Sequence, residues 1–214
     1  MKIAAVMGIE TPIAQLISTP LQSLFIIYRY DRLLNDNYIL RLHQEDFCQA
    51  LGIQSQNKYE ADGGASLKQC IHLLREATTV PAIEINKFVR LFLFNAIIGN
   101  KDAHGKNYSI LYVNNRSILA PAYDVLSTAY YPELTNKMCM SINGKHILND
   151  VTESDFDQMG ADAIISGKLD LKEYKRIKDL LLPIADQVLM EFAFPDTFRS
   201  SFFNHLKNIH PQLF

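Results

Sequence analysis

Gly99-Asn100-Lys101-Asp102-Ala103-His104-Gly105-Lys106-Asn107 is the densest polar stretch of the chain, and it stands between two apolar ones. Ahead of it, Ile83–Gly99 is apolar over most of its length, which predicts a buried central helix ended by the glycine. After it, Tyr108–Val113 and Ser117–Ala120 read as two short strands around Asn114-Asn115-Arg116, a hairpin. A hairpin brings the chain back to where it left. Asp124, in Ala122-Tyr-Asp-Val125, is remote from the polar stretch in sequence, yet the reversal predicts that Asp102, Asn107 and Asp124 converge.

Two carboxylates and a carboxamide at one mouth are hard oxygen donors. Such donors suit Mg²⁺, which keeps several waters and completes its octahedron with substrate phosphates. Asn107 and Asp124 are the expected metal ligands. Asp102, left off the metal, is the expected acceptor of a proton from an attacking hydroxyl. His104 and Lys106 add donors for phosphate oxygens. The chemistry implied is phosphoryl transfer from a nucleoside triphosphate. Protein kinases place a catalytic Asp five residues before a metal-binding Asn, in the loop H-R-D-x-x-x-x-N, with a second metal-binding Asp after a short hairpin. The step from Asp102 to Asn107 is the same.

The flanking segments extend this order. Met1–Met7 reads as a helix ending at Gly8, and Ala14–Thr19 with Leu24–Tyr30 as a β-hairpin around Pro20-Leu-Gln-Ser23. Asp31–Asn37 reads as a polar connector and the chain from Glu45 onward as helical, with Glu45 and Asp46 capping and charging the first turn. Leu67, Cys70, Ile71 and Leu74 have the spacing of a helix over Ser66–Ala77. Asp62-Gly63-Gly64 reads as a turn. Beyond Asp150, helices are expected over Glu153–Met159, Leu171–Phe194 and Thr197–Leu213, Pro183 bending or breaking the second. The fold class is therefore α+β and protein-kinase-like. A truncated small β lobe covers residues 1–30, and a mainly helical C-lobe covers 31–214, with a catalytic loop at 99–107 and a metal-binding segment at 119–127. Tyr28, Arg29 and Tyr30 fall at the hinge, where backbone groups would hold adenine.

Composition narrows the alternatives. The chain has 214 residues, 48% apolar and 21% charged, enough for a sizeable core and too apolar for wholesale disorder. A net charge of -2 argues against a general nucleic-acid binder, and the apolar runs are too short to span a bilayer. Cys48, Cys70 and Cys139 are an odd number at wide spacing, so they read as reduced core thiols. The N-terminal stretch is interrupted by Glu10 and lacks a cleavage site, which predicts no signal peptide and a cytoplasmic protein.

The sequence also resembles the HipA-like serine/threonine kinases, the toxin half of bacterial toxin–antitoxin pairs. The matching segments are Tyr30-Asp-Arg32, Arg41-Leu-His-Gln-Glu-Asp-Phe-Cys-Gln49, Tyr59-Glu-Ala-Asp-Gly-Gly64, Ile98–Asn107 and Leu119-Ala-Pro-Ala-Tyr-Asp-Val-Leu-Ser127, in the family's order. The resemblance implies ATP and Mg²⁺ as cofactors, with Asp102 as catalytic base and Asn107 and Asp124 as magnesium ligands. His104, Lys106 and Tyr123 fall in nucleotide-contacting segments, and Tyr28 to Tyr30 match the adenine hinge. It implies a protein Ser or Thr hydroxyl as acceptor, an aminoacyl-tRNA synthetase being among the family's known targets, and an antitoxin as partner. The family pattern also has a Gly-rich loop and an ATP-binding lysine on a strand. Among these residues the nine glycines form no G-x-G-x-x-G, and Lys2 is the only lysine before the hinge. Three readings follow: a piece of a longer product, a kinase completed by a separate N-terminal subunit, or a pseudokinase that binds a partner without catalysis. A small-molecule phosphotransferase is a further alternative, since such enzymes share the Asp-to-Asn spacing.

Overall fold

The computed structural model describes residues 1–163, 167–191 and 194–208. In chain order it contains α1 (Lys2–Val6), β1 (Ala14–Ser18), β2 (Ser23–Ile27), β3 (Arg32–Asn35), β4 (Tyr38–Arg41), β5 (His43–Asp46), α2 (Phe47–Ala50), α3 (Leu67–Ala77), α4 (Pro81–Ile97), β6 (Ser109–Val113), β7 (Arg116–Leu119), α5 (Glu153–Ala163), α6 (Gly167–Glu191) and α7 (Asp196–Asn208). The architecture is α+β: two separate two-stranded ribbons, β1–β2 and β3–β4, one antiparallel sheet in the order β5-β6-β7, and a helical body.

The central helix α4 organises the core. Proline at its first turn is already fixed near helical φ and has no N–H to leave unpaired, and Ile85, Phe88, Leu93, Phe94 and Ile97 are buried. Phe88 packs edge-on to Tyr108 at 5.0 Å between ring centroids, and Phe47 lies 5.5 Å from Phe88 and 5.7 Å from Tyr108. This aromatic triangle joins α2, the middle of α4 and the chain entering β6. Phe88, Phe92 and Phe94 are all buried in this core. Glu84, buried on α4, accepts the Leu119 N–H at 3.0 Å and thereby holds β7 to the helix. β6 and β7 join through Asn114 and Asn115, both at positive φ, which gives the two-residue turn its hand.

Three expectations from the sequence are corrected. Residues 31–37 are not a connector: Arg32–Asn35 pairs with Tyr38–Arg41 in a hairpin turning at Asp36-Asn37. The chain from Glu45 is first a strand, because His43–Asp46 pairs with Tyr112–Ser109, and the helix starts only at Phe47. Asp46 does cap that helix, in a reciprocal box with Gln49, whereas Glu45 accepts the Tyr112 hydroxyl at 2.7 Å instead. Pro183 does not break α6, which runs from Gly167 to Glu191 with the proline inside it. The predicted ends of two helices, at 192–193 and 209–213, lie outside the described residues.

The three cysteines are buried free thiols. Among the described residues no helix is long and apolar enough to cross a membrane.

At the start of α5, buried Asp155 gathers the loop before it. It accepts from Asn143 at 2.8 Å, Lys145 at 2.6 Å, and the Thr152 N–H and hydroxyl at 2.7 and 2.6 Å. Burial alone would push its carboxyl up, but the hydrogen bonds from Lys145, Thr152 and Asn143 outweigh it and hold it well below the usual carboxylate range. A depressed folded pKa means that the stabilisation is present above the unfolded value of about 3.9 and is lost as pH falls through the folded one. Asp155→Ala is expected to cost about 1–3 kcal/mol in urea unfolding at pH 7. The gap to the unsubstituted chain should narrow as pH falls below about 4; a gap of constant size would contradict the assignment.

Candidate functional site

The polar loop begins where α4 must stop. Gly99 has φ +75°, and a Cβ there would meet His205 Nε2 at 2.6 Å and Ala129 Cβ at 2.7 Å, so both the backbone and the space require glycine. Gly105 is held as closely on the other side: a Cβ would lie 2.9 Å from Ala65 Cβ and from Cys48 Sγ. Between them the loop is braced at nearly every residue. The Gly99 carbonyl accepts both the Thr128 N–H (3.0 Å) and its hydroxyl (2.8 Å), and Thr128 Oγ1 in turn accepts the Lys101 N–H at 3.1 Å. The Lys101 carbonyl accepts from Cys139 Sγ at 2.8 Å.

Asn100 is the clamp of the site. Its Nδ2 donates to the Asp124 carbonyl at 3.2 Å and to Asn95 Oδ1 at 3.1 Å, while its Oδ1 accepts the Asp102 N–H at 3.3 Å. One buried side chain therefore bonds the backbones of both aspartates. Asn107 closes the circuit: its Oδ1 accepts the His104 N–H at 3.0 Å and its Nδ2 donates to Asp124 Oδ2. The convergence expected from the hairpin is present in this geometry. Asp124 holds φ +55°, a left-handed conformation uncommon for a residue with a side chain. Such backbone persists only where its surroundings impose it.

The Asp102 carboxylate is 41% exposed and forms part of the wall of a cavity of about 600 Å³. Its Oδ1 accepts the Tyr59 hydroxyl at 3.0 Å and lies 3.5 Å from Lys58 Nζ, which itself sits 4.7 Å above the Tyr59 ring. The hydrogen bond with Tyr59, the nearby Asp102 charge helping, raises the Lys58 pKa and keeps the ammonium charged. His104 is buried edge-on to Tyr59 at 5.9 Å, with Nε2 3.9 Å from Asp102 Oδ1. Burial lowers its pKa, so it faces the carboxylate as a neutral imidazole near pH 7.

Of the remaining predicted residues, Tyr123 and Tyr30 gather beside Asp124, whereas the side chains of Tyr28, Arg29 and Lys106 make their contacts elsewhere. Tyr123 donates its hydroxyl proton to the Lys106 carbonyl at 2.8 Å, so the Ser109 hydroxyl, 2.6 Å away, donates to the Tyr123 oxygen. Burial pushes the Tyr123 phenol up and keeps it protonated. Tyr30 packs 6.2 Å from the Tyr123 ring and donates to Gln44 Oε1 at 2.8 Å, which brings the hinge segment to the same place. Arg29 grips Asp31 through two bonds at 2.8 and 2.7 Å, and Tyr28 is exposed at the end of the β1–β2 ribbon. The Lys106 ammonium lies on the Ser55 carbonyl at 3.3 Å.

Sequence reasoning missed Asn100, Lys58, Thr128 and Ser109. Tyr59 lies in a family-matching segment, but nothing local to it points to its bond with Asp102. Asn100, directly before the loop's charged residues, carried the only readable signal, as a carboxamide at the end of an apolar helix.

No three His, Cys, Asp or Glu residues gather among the described residues. A cation here would rest on Asp124 and the Asn107 carboxamide oxygen, with the remaining ligands from water or substrate. That sparse, all-oxygen set fits Mg²⁺. Asp124 Oδ1 makes no hydrogen bond among the described residues, and the Asn107 oxygen has a second lone pair beyond the one His104 uses.

The fold is shared with two solved structures. A chain of the Shewanella oneidensis complex of HipA, HipB and its operator DNA superposes with TM-score 0.84 at 24% identity, covering 97% of this chain and 52% of that one. The Helicobacter pylori proinflammatory kinase CtkA superposes with TM-score 0.63 at 14% identity, over 96% of this chain and 75% of that one. Residues 1–190 match the profile of the HipA-like C-terminal domain, and the chain belongs to that family. Its relatives include a Sinorhizobium fredii protein named "Putative kinase Y4mE", 43% identical over 148 residues, which are 69% of this chain and 35% of that protein. The S. oneidensis "Serine/threonine-protein kinase toxin HipA" is 27% identical over 164 residues, 71% of this chain and 38% of that protein. The chain thus spans between about a third and a half of the length of these HipA-like relatives.

Proposed function

We propose that this chain carries the catalytic half of an ATP-dependent protein serine/threonine kinase. The observation that supports this most is the side-chain bond between Asn107 and Asp124, with Asp102 clamped beside them by Asn100. In this reading Asn107 and Asp124 hold Mg²⁺, which screens the phosphate charge as the γ-phosphoryl group is transferred. Asp102, at the mouth of the adjoining cavity, orients the acceptor hydroxyl and takes its proton. Tyr28 to Tyr30 and Tyr123 line the side where the nucleoside would lie. The toxin–antitoxin setting of the S. oneidensis relative makes an antitoxin a candidate partner, and a translation protein such as an aminoacyl-tRNA synthetase a candidate acceptor.

A second feature bears on completeness. Leu16, Ile17, Leu24, Phe25, Ile26 and Ile27 of the β1–β2 ribbon are all exposed, Phe25 to 60%, and so are Leu33, Leu34, Ile39 and Leu40 of β3–β4. Two-stranded ribbons with apolar side chains facing water are at most marginally stable alone. They fit against further β structure, from the same polypeptide or a separate subunit. That favours binding by these residues and transfer only by the completed protein.

The test is phosphate transfer from γ-labelled ATP to protein, by this chain alone and with the N-terminal half of a HipA-like relative added. Mg²⁺-dependent labelling of a Ser or Thr in the arm with the added N-terminal half is the expected result. Mg²⁺-dependent ATP binding with no labelling in either arm selects the pseudokinase reading. Label found on a small metabolite instead selects the phosphotransferase reading.

A further inference from the structure

Lys101 precedes the proposed catalytic base, yet it is a buried lysine, only 8% exposed. Its backbone is fixed on both sides, by Thr128 through its N–H and by Cys139 through its carbonyl, so the residue is not a surface side chain caught folded inward. Among the described residues its ammonium has no ion-pair or hydrogen-bond partner, and burial, with no opposing acid, lowers its pKa. The ammonium still meets the solvent of a cavity, where it is a cation with no counter-charge beside it among the described residues. Natural interiors either pair such a charge or leave room for something that will.

Here there is room. Behind the loop, between the turns Thr128–Tyr130 and Leu148–Asp150 and helix α7, lies a cavity of about 300 Å³. Its polar lining is Lys101, Asn136, Asn149, Ser201, His205 and Asn208, and no Asp or Glu is among the described residues that line it. His205 donates from Nε2 to the Ile97 carbonyl at 3.1 Å, and burial, with the nearby Lys101 charge, lowers its pKa. It therefore sits beside Lys101 as a neutral ring and supplies no anion. Asn149 is spent on the Asn208 carbonyl at 3.3 Å and fixes the rim. What remains is one cation on a mostly buried lysine, with hydroxyl and carboxamide donors around it, in a cavity that opens to solvent at Asn136, Asn149 and Asn208.

We propose that this cavity is a binding site for a tetrahedral oxyanion of the phosphoryl class, held by the Lys101 ammonium with Ser201 and Asn136. The group is either free inorganic phosphate or the phosphate of a phosphorylated side chain. An anion there ties α7 to the residue next to Asp102. The site does not use Asp124, Asn107 or the Asp102 carboxylate, and the proposal does not rest on the kinase reading.

The experiment is thermal unfolding of the full chain in EDTA at constant ionic strength, with inorganic phosphate or O-phosphoserine exchanged for chloride. The unsubstituted chain should show a saturable rise of about 5–10 °C at a hundredfold excess over half-saturation. A response to phosphate alone marks a free-ion site, and a response to phosphoserine marks a site for a modified side chain. Lys101→Met should abolish the rise and melt no lower than the unsubstituted chain without phosphate, because it removes an unpaired charge from a mostly buried residue. Should that variant fail to fold, Ser201→Ala carries the test, with half-saturation weakened by about tenfold. Lys106→Ala should respond as the unsubstituted chain does. No saturable rise with either ligand, or an equal rise in Lys101→Met or Ser201→Ala, overturns the proposal.

Discussion

Asp102→Asn is expected to leave the chain folded and to lower phosphate transfer to protein by about 10²–10⁴-fold. The fold survives because the loop is held by other groups. Asn100, Lys101 and Gly99 make bracing bonds, and Asp102 adds backbone ones, its N–H donating to Asn100 and its carbonyl accepting the His104 N–H at 2.9 Å, which asparagine keeps. The lost partner of Lys58 matters little, since that ammonium is 35% exposed and such pairs contribute under about 1 kcal/mol. What is lost is the acceptor for the hydroxyl proton, in a side chain of almost the same size. The loss should fall on kcat, with the KM for ATP nearly unchanged, because the carboxylate acts as the hydroxyl attacks. Initial rates of label transfer in the completed protein measure it. Equal rates for the two proteins would remove Asp102 from its role.

Asp124→Asn is expected to weaken Mg²⁺-dependent ATP binding by on the order of 10²-fold or more, since even outer partners of a metal site are worth 10–100-fold. Asparagine is the informative substitution. It tolerates the left-handed backbone that Asp124 adopts at φ +55°, and its oxygen can still accept from Asn107 Nδ2. The variant therefore removes a negative charge while keeping the turn, and its stability should change by less than about 1 kcal/mol. Titration calorimetry with ATP, with and without Mg²⁺, separates the two effects. Undiminished Mg²⁺-dependent affinity in a folded variant would show that the cation is held elsewhere.

The site was legible because its chemistry is local to two short segments joined by a hairpin. The Asn-Asn turn and the apolar strands on either side of it are strong signals, and the return they force brings Asp124 to Asn107. What the sequence concealed was long-range. His43–Asp46 has the composition of a helix start and becomes a strand because β6 offers it a partner. Leu33 and Leu34 lie among charged and polar residues that read as a connector, and they become a strand because Ile39 and Leu40 pair with them. Tyr59 and Lys58 reach Asp102 across more than forty residues, and no local spacing announces that contact. Pro183 does not break α6, since packing on both sides of it keeps the helix continuous across the missing N–H: Ile177, Leu181, Ala185 and Leu189 are all buried.

The central claim is that Asn107 and Asp124 share one divalent cation with bound nucleotide. The most direct measurement is paramagnetic broadening by Mn²⁺, added at substoichiometric level in place of Mg²⁺ to the isotope-labelled chain with ATP. The Asn107 side-chain amide and the Asp124 backbone amide should be the first signals to disappear, and only when ATP is present. If both persist while signals elsewhere broaden, these two residues do not hold the cation.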